Sequence, residues 1–252
     1  MQIPKNKFKE ALLQHVHQKG LWTTLASSYS TEALAGAGFD WMLLDMEHSP
    51  NEMDTILAQL QVLAAYPVHA VVRPVWNDPL LIKRLLDIGA QTLLLPYVQT
   101  AEEAEQAVRS MRYAPRGIRG VSSVTRATHF GRVKDYMKVC EDELCLLVQI
   151  ETQSALDHLE AIASVDGVDG VFIGPADLSA SLGFPGQQDH PSVTQTIEDA
   201  IKRIRACGKG AGILSGDKPL VKEYIRYGTT FTAVGVDAAL LARAAEALAR
   251  EF

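Results

Sequence analysis

Cysteine is scarce in this chain. Only Cys140, Cys145 and Cys207 are present. The number is odd and the spacings are not those of a metal knuckle. Neither a disulfide framework nor a cysteine-based zinc site is expected, and reduced thiols in the cytoplasm are. Long apolar runs are missing too, which excludes a membrane-spanning helix. The opening MQIPKNKFKEALLQHVHQKG lacks the continuous apolar core of a signal peptide. Basic charge is not in excess: 24 Lys+Arg stand against 30 Asp+Glu, a net charge of −6 with a pI near 5.6. That balance argues against nucleic acid or an anionic membrane as partner. No Pro/Gly/Ser-rich linker, low-complexity tract or sequence repeat divides the chain, so residues 1–252 read as one domain. No Gly-x-Gly-x-x-Gly turn follows the first strand, and no organic cofactor is expected.

What the chain does contain is a regular alternation of element types. Runs rich in β-branched and aliphatic residues fall near 21–26, 40–46, 69–74, 92–96, 144–150, 169–174, 210–214 and 230–235. Most are nearly continuous in apolar residues, the pattern of parallel strands covered on both faces. Helical patterns separate them. Ser49-Pro50-Asn51-Glu52 reads as a capping box with proline at the first helical position. Asp78-Pro79 opens another helix and Gly89 ends it, while Thr100 caps a third. Further helices are expected near 30–37, 154–163, 191–206, 217–227 and 238–250. An extra N-terminal helix over 6–18 precedes the first strand and would cover one end of the sheet. Eight alternating units imply an α/β protein, a single (β/α)8 TIM barrel with that extra helix. A doubly wound open sheet is the alternative.

In a barrel the chemistry lies at the strand ends that face the βα loops. Four runs end in ionisable groups: Asp45-Met46-Glu47-His48, Arg73-Pro74, Gln149-Ile150-Glu151-Thr152 and Gly174-Pro175-Ala176-Asp177. Each has a plainer explanation. Asp177 can cap a short helix, His48 can be an exposed loop residue, Arg73 a surface ion-pair donor and Glu151 a solvated helix start. Asp45 is harder to dismiss, because it closes an apolar strand where an unpaired carboxylate is costly.

Carboxylates such as Glu151 and Asp177 suit a hard divalent cation, Mg²⁺, Mn²⁺ or Co²⁺, that leaves coordination positions for water and a 2-oxo acid. Arg73 would donate to an oxygen that gains negative charge, and His48 would be the acid/base, its tautomer set by Asp45. On this view Arg73→Ala removes turnover and leaves the fold intact. An imine-forming lysine is not evident; Lys218 follows a strand but falls at a helix start.

The segments LAGAGFDWMLLDMEHSPN, VVRPVWNDPLLIKRLLDIGAQTLLLPYVQ, YAPRGIRGV, LVQIET, VDGVFIGPADLSASLG and TAVGVDAALLARAAEALA resemble those of the 4-hydroxy-2-oxoheptanedioate aldolases, class II pyruvate aldolases. The resemblance runs almost end to end. It implies metal ligation by Glu151 and Asp177, acid/base work by His48 with Asp45, and an enolate held by Arg73. It implies Gln149 and the backbone of Gly174, Pro175 and Ala176 at the pyruvate, Trp22, Leu214 and Arg126 at the aldehyde, and Glu47 and Asp87 as supporting acids. It further implies a homohexamer with sites shared between subunits. Residues 113–143, which carry Arg126, start on the side of the barrel away from the catalytic mouth, so Arg126 and Asp87 are expected to serve a neighbour's site. A 2-keto-3-deoxy sugar acid aldolase, a 2-oxo acid lyase or decarboxylase acting on oxaloacetate, and a non-catalytic binding protein are the other functions considered.

Overall fold

The computed structural model describes residues 1–252. In chain order the elements are α1 (Lys7–Leu13), β1 (Gln18–Thr23), α2 (Ser28–Ala35), β2 (Trp41–Asp45), α3 (Met53–Leu63), β3 (His69–Arg73), α4 (Pro79–Asp87), β4 (Thr92–Leu95), α5 (Ala101–Met111), α6 (Tyr136–Glu143), β5 (Cys145–Ile150), α7 (Gln153–Asp157), α8 (Leu159–Ala163), β6 (Gly170–Ile173), α9 (Pro175–Ser181), α10 (Pro191–Ala206), β7 (Gly210–Leu214), α11 (Lys218–Tyr227), β8 (Phe231–Val236) and α12 (Asp237–Ala249). The eight strands pair in parallel, each with its sequence neighbour, and β8 closes on β1. The barrel expectation holds and the open sheet falls.

Two apolar layers hold the barrel. One lies between strands and helices and includes Leu44, Val72, Leu93, Val148, Val171 and Ile213 facing the helical ring. The other fills the interior with Trp22, Trp41, Leu43, Val71, Leu94, Leu147, Phe172 and Phe231. Successive strand residues point to opposite faces, and both faces are dry. That is why the strands read as unbroken apolar runs.

α1 closes the base. Phe8 and Leu12 are buried in the interior layer, and Phe8 meets Trp41 and Phe231 edge-on at 5.9 and 5.7 Å between ring centroids. Two strand glycines make room: a Cβ on Gly20 would collide with the Trp41 indole, and one on Gly210 with Leu12. α12 differs from the other barrel helices. Its only buried residue is Asp237, and Leu240, Leu241 and Leu248 are exposed.

Several boundaries differ from the sequence reading. The first helix is shorter than 6–18, and β1 starts at Gln18, with Gly20 a strand residue packed on Trp41. α3 begins after Glu52, whose backbone N–H donates to Thr55 Oγ1 at 2.8 Å; Ser49 and Asn51 are occupied elsewhere. The helix expected over 154–163 is two, broken at His158. Asp78, Thr100 and Gly89 behave as expected: the first two cap through their side chains, and Gly89 has φ +97°.

Candidate active site

Asp45 and Arg73 close β2 and β3 and face each other in register. Arg73 Nε donates to Asp45 Oδ1 at 2.8 Å and Nη2 to Oδ2 at 2.7 Å, a bidentate pair with both residues buried. Nη1 lies 2.8 Å from Glu47 Oε2. Trp22, in β1, places its ring 4.7 Å from the guanidinium carbon and donates Nε1 to Asp45 Oδ2 at 3.2 Å. The turn after β2 is wound around the same residue. Glu47 N donates to Asp45 Oδ1, and Ser49 Oγ and Asn51 Nδ2 donate to the Asp45 carbonyl. Burial opposes the ionised form of Asp45, but the Arg73 guanidinium and the Trp22 N–H outweigh it and hold the carboxyl below its ordinary range.

Across the mouth, Gln149 and Glu151 lie at the end of β5, both buried. Glu151 Oε2 accepts from Gln149 Nε2 at 2.5 Å, and Oε1 accepts from the backbone N–H of Tyr97 at 2.9 Å. Gly174 follows β6, and a Cβ there would sit 2.6 Å from Glu151 Oε2, so this position admits no side chain. Gly174 is the N-cap of α9, with Pro175 at its first position and Asp177 in its first turn. The plainer reading of Asp177 as a cap therefore fails.

Burial pushes the Glu151 carboxyl up to about 7; Gln149 opposes the shift, and the negative charges of Glu47 and Asp177 add to it. Glu47 is likewise raised, by burial first and then by Asp45 and Asp177, against Arg73. Four carboxylates thus share one mouth with a single guanidinium. Gln149 Oε1 is buried there without a partner. No three His, Cys, Asp or Glu side chains form a metal cage. The donors present fit a hard cation that takes Glu151 and Asp177 and fills its other positions with water and substrate.

His48 stands at the rim, its side chain 68% exposed and Nε2 3.9 Å from Glu47 Oε1. The expected Asp45–His48 pair does not form, because Arg73 and Trp22 already occupy both Asp45 oxygens. Leu214 ends β7 against the interior layer, on the mouth side. Arg126 and Asp87 are not at this mouth. Arg126 donates to the Ile88 and Leu60 carbonyls at the C-terminal ends of α4 and α3, where helix dipoles favour a cation. It also lines a cavity of about 700 Å³ at the base, beside Phe8, His17 and His69. Asp87 pairs with Arg119 at 2.9 Å. Lys218 is exposed at the start of α11.

Two residues of the mouth went unnoticed in the sequence. One is Tyr97, whose amide holds Glu151 and whose φ is +56°. The other is Asp237, which accepts from the Thr24 and Leu25 amides and so ties the β1 loop to the end of β8. An acid directly after the apolar run of β8 was the available signal for Asp237. A positive φ at tyrosine leaves none.

A closed parallel barrel with these groups gathered at the C-terminal ends of its strands is a (β/α)8 enzyme. The chain belongs to the HpcH/HpaI aldolase/citrate lyase family, whose model matches residues 18–244. It is 60% identical over its full length to a pyruvate aldolase of Rhizobium etli, covering 99% of that protein. It is 57% identical over 98% of its length to a 4-hydroxy-2-oxo-heptane-1,7-dioate aldolase of Salmonella paratyphi C, covering 95% of it. Among solved structures, an HpcH/HpaI aldolase/citrate lyase family protein of Burkholderia cenocepacia superposes with a TM-score of 0.95. It is 37% identical, with 98% of this chain and 99% of that one covered. No helix here is long and apolar enough to cross a membrane.

Proposed function

We propose that this chain is a divalent-metal-dependent aldolase that reversibly cleaves 4-hydroxy-2-oxo acids to pyruvate and an aldehyde. The preferred substrate is 4-hydroxy-2-oxoheptane-1,7-dioate, which gives succinate semialdehyde. The observation that carries the reading is the surplus of negative charge at the mouth, four carboxylates against one locked guanidinium. Glu151 and Asp177 would hold the cation. When bound, it polarises the 2-oxo group of the substrate and lowers the energy of the enolate left by cleavage.

The chain's own residues do the rest. Asp45, Glu47 and the Trp22 ring fix Arg73 in one orientation, so its remaining N–H groups are aimed before substrate arrives. Gln149 offers an unsatisfied acceptor, and the bare backbone at Gly174, with Pro175 and Ala176, leaves room for the pyruvate carboxylate. Trp22 and Leu214 face the aldehyde half. His48 takes the 4-hydroxyl proton from its exposed place on the rim. Asp45 acts on Arg73 rather than on His48. The functional unit is a homohexamer in which Asp87 and Arg126, far from their own mouth, reach a neighbour's; the exposed leucines of α12 suit burial between subunits.

The test is pyruvate release from 4-hydroxy-2-oxoheptane-1,7-dioate before and after chelation. EDTA should remove activity, and Mg²⁺, Mn²⁺ or Co²⁺ should restore it. Activity that resists chelation overturns the proposal. The Rhizobium etli relative, whose name specifies pyruvate and no aldehyde, leaves room for a second reading. In that reading the substrate is a 2-keto-3-deoxy sugar acid. A panel of aldehydes with pyruvate separates the two: higher kcat/KM with hydroxylated aldehydes than with succinate semialdehyde selects the second.

A further inference from the structure

Just outside the mouth two large aromatic side chains lie in the open, side by side. Trp76, in the β3–α4 loop, is 54% exposed, and Tyr97, after β4, is 39% exposed. Their rings stack with centroids 5.6 Å apart at 29°. Tyr97 holds a left-handed backbone, φ +56°, a conformation that side chains disfavour. That twist has a use. It turns the Tyr97 N–H onto Glu151 Oε1 at 2.9 Å, while the next amide, Val98 N–H, donates to the Gln149 carbonyl at 3.0 Å. Two successive amides of the β4 turn are thus spent on the two functional residues of β5.

The loop that carries Trp76 is pinned on its other side. Asp78 N–H donates back to the Trp76 carbonyl, and Asn77 Nδ2 donates to the Glu103 carbonyl of α5. The indole therefore stands on a fixed base, and the Tyr97 ring rests against it. An exposed tyrosine in this conformation has an easy escape, back to negative φ with its ring swung into solvent. That escape would carry the amide away from Glu151. The stack opposes it.

We infer that Trp76 and Tyr97 form a latch that holds the left-handed turn of residue 97, and that through its amide they orient the Glu151 carboxylate for a divalent cation. Both are positioning residues; neither touches the cation. The inference rests on Glu151 being a metal ligand, as proposed above. Partners that orient a ligand in this way are typically worth about ten- to a hundredfold in metal affinity.

The test is calorimetric titration of chelator-stripped protein with MnCl₂, alongside kcat at saturating Mn²⁺. Tyr97→Val and Tyr97→Gly both delete the ring, but valine resists positive φ and glycine adopts it freely. Tyr97→Val should bind Mn²⁺ about tenfold more weakly, while Tyr97→Gly stays within about twofold of the parent. Trp76→Ala should weaken binding in the parent and have no effect in the Tyr97→Gly background, and Trp76→Phe should restore it. kcat at saturating Mn²⁺ should hold in Trp76→Ala and Trp76→Phe. If glycine weakens binding as much as valine, the ring and not the turn is what matters, and the inference fails. It fails also if Trp76→Ala binds as the parent does. Glu151→Gln separates this from the underlying reading. Unchanged Mn²⁺ affinity in Glu151→Gln overturns the metal site itself. Weakened affinity there, with Tyr97→Val at parental affinity, overturns the latch alone.

Discussion

At the base of the barrel, Phe8 and Leu12 of α1 meet Trp41 and Phe231, and Gly20 and Gly210 give up their side chains so that the rings and the leucine can close together. At the mouth, Arg73 pairs with Asp45 and Glu47, the Glu151 and Asp177 charges act on Glu47 and on each other, and Gln149 keeps an acceptor without a partner. The base is held by apolar contact within the interior layer. The mouth leaves charge uncompensated and polar atoms unfilled, in the same barrel and on the same eight strands. Stability and chemistry are thus placed at opposite ends, as expected where catalytic groups must be held in costly arrangements.

The contrast can be broken at either end. The largest effect should come from Arg73. Arg73→Lys keeps a charge but loses the fork that grips Asp45 and Glu47, and kcat/KM should fall about 10²–10³-fold with the fold retained. Arg73→Ala is a harsher change than the sequence suggested. It strands a buried Asp45 carboxylate, which costs roughly 3–5 kcal/mol, so thermal denaturation should reveal a loss of stability as well as of turnover. An alanine variant with parental stability would show that water reaches Asp45 and that the pair is less buried than it looks.

At the base, Leu12→Ala should cost about 2–5 kcal/mol of stability by opening a cavity against Gly210, with kcat changed little at temperatures where the variant is folded. Equal damage to turnover would mean that the two ends are coupled.

The smallest effect is a pH dependence confined to the mouth. With its folded pKa raised to about 7 from an ordinary 4.5, Glu151 contributes stability that is full at low pH and lost as pH rises through 7 in the metal-free protein. Glu151→Gln should therefore unfold at higher temperature than the metal-free parent above pH 7, by on the order of 2 kcal/mol, and approach it at pH 5. Added Mn²⁺ should stabilise the parent and leave the variant nearly unchanged. A constant difference across this range would show that Glu151 is not held near 7.

Much of the fold was legible because burial on both faces writes itself into the strands as unbroken apolar runs, and because Asp78-Pro79 and Thr100 are strong local caps. β1 starts three residues before the expected run at 21–26, because Gly20, packed beneath the Trp41 indole, is itself a strand residue. The gathering of the four strand-end clusters at one mouth was legible, since barrel connectivity alone brings them together. Their pairing was not. Asp45 and His48 are close in sequence, but Arg73 lies opposite Asp45 one strand over and takes both oxygens. Register decides such partners, and register is a property of the closed sheet. The tie of Arg126 to the ends of α3 and α4 and the backbone twist at Tyr97 were hidden for the same reason: each depends on contacts that no local pattern encodes.

The plug of the base also bears on how the chain is made. Phe8 belongs to the first helix and Phe231 to the last strand of the barrel, yet they pack ring to ring. The first helix has no complete seat until the final strand is synthesised, and contacts so far apart in sequence form slowly. Until β8 is in place Phe8 lacks one of the two rings it meets edge-on. Closing the base is then the step by which the finished barrel distinguishes itself from every shorter version of the same chain.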